Sequence, residues 1–284
     1  MRKKKPTNSA STFHFVIGDI HGCRNEMIQL ESELTKFAKK QNRNVFVVGV
    51  GDLVDRGPDS AGVIEHFRSR RRDHLSLIGN HELMMLETLQ EFCPKDFVGL
   101  KKPNWFVSIK EQYKWRKGLS KSLSFADFRV LRKVQWLGNG GHETLESYGQ
   151  DSAKPETWKV PRAHLRYLLS CNLMWSCPAA IVTHALALKK DLQLLENANL
   201  GSLHIAKQDL NQAIQSIIWN RDVQTFHKFE KLHLSGHTPV KNPKKLRDKF
   251  AIQLDTGCVY GQRLTAYCIE AEKFFTVDSG FTWP

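Results

Sequence analysis

Five short motifs in this chain carry residue types able to do chemistry together. Gly18-Asp19-Ile20-His21-Gly22 sets a carboxylate and an imidazole two positions apart, just past an apolar run. In an extended chain such positions point to the same side, so both can bind one metal ion. Asp52, in Gly51-Asp52-Leu53-Val54-Asp55-Arg56-Gly57, follows a fully apolar run, where an unpaired carboxylate is costly. One metal ion, or two, removes that cost. The planar fork of Arg56 suits phosphate oxygens. In Gly79-Asn80-His81-Glu82, Asn80 offers a neutral oxygen ligand, and the His81 imidazole suits protonation of a leaving oxygen near neutral pH. His184 and His237 close two later apolar runs. Each motif alone has a local alternative: an ion pair of Arg56 with Asp55 or Asp59, a helix cap at Asn80, a structural histidine at a strand end. Five at strand ends point to one shared site.

Asp19, His21, Asp52, Asn80, His184 and His237 supply mixed oxygen and nitrogen donors and no thiolate. That set suits Mn²⁺, Fe or Zn²⁺ better than a structural zinc or an all-oxygen calcium site. Two such ions about 3.5–4 Å apart can clamp a phosphate and generate hydroxide.

The elements that must position these groups repeat three times in the first 90 residues. Apolar runs at 13–17, 45–50 and 74–78 each lead into a charged motif, and helix-like segments begin near Arg24, Ser60 and His81. Pro58 and Ser60 suit a helix start, with Ser60 as cap. Strands and helices alternating at this spacing indicate βαβ units and a parallel sheet, whose ligands bind beyond the carboxyl ends of the strands. Residues 93–170 hold Trp105, Trp115, Trp136 and Trp158, many basic residues and no clear strand, which predicts a helical cap insertion. Strand patterns return at 179–185, 231–237, 250–257, 263–270 and 274–278, with a helix over 207–219. The reading is one domain over 1–284, with residues 1–12 as a disordered basic tail.

No run approaches the roughly 18 apolar residues of a membrane span. The apolar run at 13–17 is too short for a secretory core, which points to a cytoplasmic protein with no membrane partner. The six cysteines form no CxxC pair, which favours reduced thiols. A net charge of +13 favours anionic partners, whether phosphorylated protein, nucleotide or nucleic acid. The basic runs taken singly read as solvated helix ends and loops. Trp105, Trp115 and Trp158 are candidate base-stacking platforms or, more commonly in a helical cap, core.

In this order the motifs resemble the phosphoprotein phosphatase branch of the calcineurin-like metallophosphoesterases. The resemblance rests on residues 18–22, 51–57 and 79–82, on His184 and on Gly236-His237-Thr238, with support from Trp136–Gly141 and Asp255-Thr256-Gly257. It spans nearly the whole chain except 93–135. It implies an α/β fold: an αββα sandwich of two mixed β-sheets flanked by helices. It also implies two divalent metal ions, foremost Mn²⁺, with Asp19 and His21 on the first, Asp52 bridging, and Asn80, His184 and His237 on the second. His81, oriented by Asp55, is then the general acid, and Arg56, Asn80 and Arg221 bind phosphate. Hydroxide held by both metals attacks phosphorus in line, without a phosphoenzyme. Where bacterial relatives usually read His-Ala-Gly, this chain reads His184-Ala185-Leu186, so Leu186 is expected to narrow the substrate mouth.

The implied activity is phosphomonoester hydrolysis of the bacterial serine/threonine protein phosphatase type. The alternative is hydrolysis of dinucleoside polyphosphates or RNA caps, as in the related symmetrical diadenosine tetraphosphatases. Those relatives typically lack the second acid of the middle motif, so Asp55 favours phosphoprotein, while the charge of +13 favours polyphosphate.

Overall fold

The computed structural model describes residues 11–116, 123–199, 207–222, 229–246 and 250–284. Most of the expected basic tail lies outside the described residues, and Thr12, at its end, already pairs with Asn44 in the first strand.

The first third alternates strand and helix: β1 (Thr12–Ile17), α1 (Arg24–Lys40), β2 (Asn44–Gly49), α2 (Ser60–Ser69), β3 (His74–Ser76) and α3 (Asn80–Phe92). β1, β2 and β3 run parallel, so their carboxyl ends share an edge. The middle third is helical: α4 (Ile109–Arg116), α5 (Phe125–Trp136), α6 (His142–Ser147) and α7 (Arg162–Leu168), with a π-helical stretch Leu137–Gly141 joining α5 to α6. No strand occurs among the described residues of 93–170. α5 packs on α3, while α6 and α7 pack on α2, so this insertion braces the first layer of helices. The last third contains β4 (Met174–Ser176), β5 (Ala180–Thr183), α8 (Lys189–Asn199), α9 (Lys207–Trp219), β6 (Leu232–Ser235), β7 (Lys244–Leu246), β8 (Ala251–Gln253), β9 (Arg263–Cys268) and β10 (Lys273–Asp278).

Two mixed sheets result, ordered β10-β9-β1-β2-β3 and β4-β5-β6-β8-β7. Side chains alternate faces along a strand, and both sheets use the alternation. Val16, Val48, Val50 and Leu77 from one sheet meet Ala180, Val182, Leu234 and Ile252 from the other in a single apolar layer. Phe13, Phe15, Ile17 and Val47 face the opposite way, in a core shared with Met27, Leu30 and Leu34 of α1 and Phe67 of α2. Fully burying each such side chain stabilises by roughly 1.5–3 kcal/mol, enough to fix register.

Two local expectations are corrected. The cap of α2 is Asp59, which accepts the Gly62 N–H at 2.7 Å; Ser60 instead turns its hydroxyl inward and accepts the Asp55 N–H at 3.1 Å. The strand expected over 250–257 ends at Gln253, because Asp255 accepts the Gly257 N–H at 3.0 Å and bends the chain through a left-handed glycine.

Candidate metal centre

The loops leaving β1, β2, β3, β5 and β6 meet around Asp52. One of its carboxylate oxygens lies 3.5 Å from His21 Nε2 and 3.9 Å from His81 Nε2. The other lies 3.5 Å from His184 Nε2 and accepts the His81 N–H at 3.1 Å. Asn80 Oδ1 sits 3.0 Å from His184 Nε2 and 2.9 Å from His237 Nδ1. Asp19 accepts the His237 N–H at 3.0 and 3.1 Å. Asp19, His21, Asp52, Asn80, His184 and His237 are all buried. Among the described residues, the ligand atoms of Asp52 gather with those of His21 and His81 on one side and with those of His184 and His237 on the other, while Asp19 falls in neither group.

The backbone fixes which nitrogens are free. His21 Nδ1 faces the Val54 carbonyl at 2.8 Å, and His184 Nδ1 faces the Val50 carbonyl at 3.1 Å. A carbonyl only accepts, so both Nδ1 atoms carry the proton and both Nε2 lone pairs face Asp52. Burial holds His21 well below its ordinary pKa and lowers His184 and His237 to about 3, which keeps their lone pairs available. The carboxylates show the complementary stress. Burial, followed by repulsion from Asp255 and Asp52, raises Asp19 well above its ordinary value, and burial raises Asp255 to about 6. Crowded buried carboxylates beside neutral imidazoles fit a pair of divalent cations, which would offset both the repulsion and the burial cost.

Beside this cluster, Asp55 Oδ2 stands 2.7 Å from His81 Nδ1. Its other oxygen accepts the Thr144 hydroxyl at 2.7 Å and the Trp136 indole N–H at 3.1 Å. Burial pushes Asp55 up to about 8, opposed by those two donors. Burial lowers His81 to about 4, with the Arg56 charge adding to the effect. Arg56 pairs with neither Asp55 nor Asp59. Its guanidinium donates to His21 Nε2 at 2.8 Å and to His81 Nε2 at 2.9 Å. The Tyr260 and Trp283 rings flank it at 5.5 and 5.4 Å. The Arg56 N–H bonds to the Gly140 carbonyl at 3.1 Å, and a side chain at Gly140, with φ +106°, would collide with that nitrogen. Arg221, just past α9, points Nε at His237 Nε2 from 3.3 Å.

The loops hold these positions in uncommon backbone. His21, Asp52, Asp55, Arg56 and His237 have φ of 46°, 50°, 73°, 72° and 67°. Left-handed non-glycine residues cost about 1–3 kcal/mol each and gather at functional sites.

Several contributors escape a reading of the sequence. Glu82 is fully buried and accepts the N–H groups of Asp52, Leu53, Val54 and Gly79 at 2.6–3.2 Å, so it pins the Asp52 loop. Its only local sign is an acid three residues after the Gly79 cap. Thr144, Tyr260 and Trp283 carry no motif signal of their own. Leu186 does not narrow the mouth: its side chain belongs to the apolar core. Instead, the Leu186 carbonyl accepts from the Asn220 side chain at 2.8 Å, tying the His184 loop to the end of α9. Trp105 and Trp158 are buried and offer no face to a base, whereas Trp115 is exposed.

Comparison with known proteins supplies the remaining findings. Residues 15–261 match the family model described as calcineurin-like phosphoesterase. A protein of Oceanobacillus iheyensis named bis(5'-nucleosyl)-tetraphosphatase PrpE [asymmetrical] is 28% identical over 270 residues, 93% of this chain and 91% of that one. A Wigglesworthia glossinidia brevipalpis protein named bis(5'-nucleosyl)-tetraphosphatase, symmetrical, is 32% identical over 124 residues, 44% of this chain and 37% of its own length. A solved structure of a cold-active protein tyrosine phosphatase superposes with a TM-score of 0.50 at 14% identity, covering 95% of this chain and 80% of that one, and shares the fold.

Proposed function

The chain belongs to the calcineurin-like phosphoesterase family, and from that premise we propose that it hydrolyses dinucleoside tetraphosphates at the Asp52 rim. The convergence of metal-capable side chains around Asp52 supports phosphoester hydrolysis. The relative alike along 93% of the chain, itself named a bis(5'-nucleosyl)-tetraphosphatase, supports the substrate class. A net charge of +13 suits so anionic a ligand.

In this reading Asp19 and His21 would hold one divalent ion and Asn80, His184 and His237 another, with Asp52 a ligand to each. When bound, two such ions neutralise phosphoryl oxygens and acidify water, and Mn²⁺ suits the donors, as do Fe and Zn²⁺. Arg56, braced between two aromatic rings, and Arg221 grip phosphate oxygens from two sides. Asn80 presents its amide to the same oxygens. Asp55 holds the proton on His81 Nδ1 and fixes the ring, leaving Nε2 to serve the departing oxygen. A phosphate drawn onto Arg56 offsets the charge that helps depress His81, so the imidazole gains a proton to donate.

One observation favours a second reading, phosphoserine and phosphothreonine hydrolysis on proteins. The alkoxide leaving from such an ester needs a proton more than a nucleotide phosphate does, and the buried Asp55–His81 pair is built to supply one. Rates with Mn²⁺ on diadenosine tetraphosphate, capped RNA and phosphoserine, phosphothreonine and phosphotyrosine peptides separate the two. We expect the tetraphosphate to be fastest. A phosphopeptide rate well above it would reverse the order.

A further inference from the structure

Among the described residues, one more group of side chains outside the rim has ligand chemistry. Glu31 of α1, His66 of α2 and His74 at the start of β3 converge so that their donor atoms all lie within 4.8 Å of one another. His66 Nε2 is 2.9 and 2.8 Å from the two Glu31 oxygens, and His74 Nε2 is 3.2 Å from Oε1. The two imidazoles are buried and stand 5.5 Å apart, turned 72° from each other. A tetrahedral ion with bonds of about 2.0–2.1 Å places its donors about 3.3 Å apart. The two imidazole–carboxylate spacings are close to that value, and the group as a whole lies within 4.8 Å. His74 also has a carboxylate behind it: Asp73 Oδ1 accepts from Nδ1 at 2.7 Å, which orients the ring so that Nε2, now donating to Glu31, would face an ion once its proton is released. The group opens into a cleft of about 1310 Å³ that Arg24, Lys36, Lys39, Arg43 and Arg70 also line. A fourth coordination position would face that cleft.

We propose that Glu31, His66 and His74 form a separate site for one divalent transition-metal ion of the Zn²⁺ class, independent of the catalytic pair. Two imidazoles and a carboxylate are a zinc donor set, and the three residues come from three elements, so the bound ion would fasten α1 to α2 and β3. Arg70 is the gate. Its Nη1 donates to His66 Nδ1 at 2.9 Å, which keeps the ring proton on Nε2, facing Glu31. Coordination through Nε2 moves that proton to Nδ1, so the exposed Arg70 side chain turns out into solvent. Arg70 therefore competes with the ion.

The test is zinc stoichiometry and affinity of the full-length chain, titrated with Zn²⁺ alone against a chromophoric chelator. Glu31→Gln and His74→Ala should each bind one ion fewer per chain than the wild type, while Mn²⁺-supported turnover stays unchanged. Arg70→Ala, a surface change, should keep the full count and tighten the weakest site two- to tenfold. Equal zinc counts in wild type, Glu31→Gln and His74→Ala would overturn the proposal, as would weaker binding in Arg70→Ala.

Discussion

Acid should destabilise this protein through His233, a residue outside the ligand set. His233 lies on β6 with no exposed surface. Its Nε2 is 2.7 Å from the Thr183 hydroxyl, and that hydroxyl donates its own proton to the Ala185 carbonyl at 2.6 Å. The hydroxyl must therefore accept from His233, which fixes the imidazole proton on Nε2. Nδ1 finds no partner among the described residues, and the Phe229 ring stands nearly perpendicular to the imidazole with the ring centres 4.4 Å apart. A second proton would create a buried cation without an acceptor, and burial holds the pKa down to about 3. The folded value is depressed, so below the ordinary value of about 6.5 the unfolded chain takes up a proton that the native state refuses. Stability is lost as pH falls from about 6.5 towards 3, at up to about 1.4 kcal/mol per unit. Between pH 7.5 and 5.0 the loss from this residue comes to about 2 kcal/mol. Urea unfolding of metal-stripped wild type and His233→Gln at both pH values isolates it, because the glutamine amide can still donate to Thr183. The wild type should lose about 2 kcal/mol more than the variant over that interval. Equal losses in the two proteins would refute the argument.

Two further outcomes follow from the rim. His81→Ala and Asp52→Asn should each lower turnover with Mn²⁺ by about a hundredfold or more, read in a steady-state assay on a chromogenic phosphomonoester; near wild-type rates in both would remove the two-metal scheme. Arg56→Ala should raise the inhibition constant for free phosphate roughly ten- to a hundredfold, the worth of a charge-assisted contact. Trp283→Ala removes a flanking ring, together with its indole hydrogen bond to Glu143 at 2.8 Å, and should raise it about two- to fivefold; an unchanged constant in Trp283→Ala would show that the ring does not hold the guanidinium.

How far the sequence reaches depends on how local each cause is. The runs around Phe15 and Val47 are short and largely apolar, and the motif behind each is contiguous, so β1, β2 and the residues from Asp19 to Arg56 are legible. β4 and β7 are three residues each and, unlike the equally short β3 and β8, lie in no longer strand-like run, so the sequence does not mark them. Glu82 is visible as an acid near a helix start, but its work is to hold a loop 30 residues earlier, which no spacing rule conveys. Thr144 is more remote still, 89 residues from Asp55. The basic run at 68–72 shows the opposite error, because charge alone overstates the free surface. Arg68 is spent on Glu65, Arg70 on His66, and Arg71 lies over the Tyr167 ring at 4.8 Å.

The left-handed backbone at His21, Asp52, Asp55, Arg56 and His237 bears on how this site can change over generations. A ligand there is a side chain plus a conformation that most residues resist, and aspartate and asparagine resist it least. Alanine at position 52 would remove the carboxylate and also free the loop, so its effect would mix lost chemistry with a relaxed backbone. Asparagine would keep the turn and report on charge alone. The same reasoning narrows the paths open to drift. A lineage that loses one ligand also slackens the loop that positions the next, so a single reversion restores the residue before it restores the geometry.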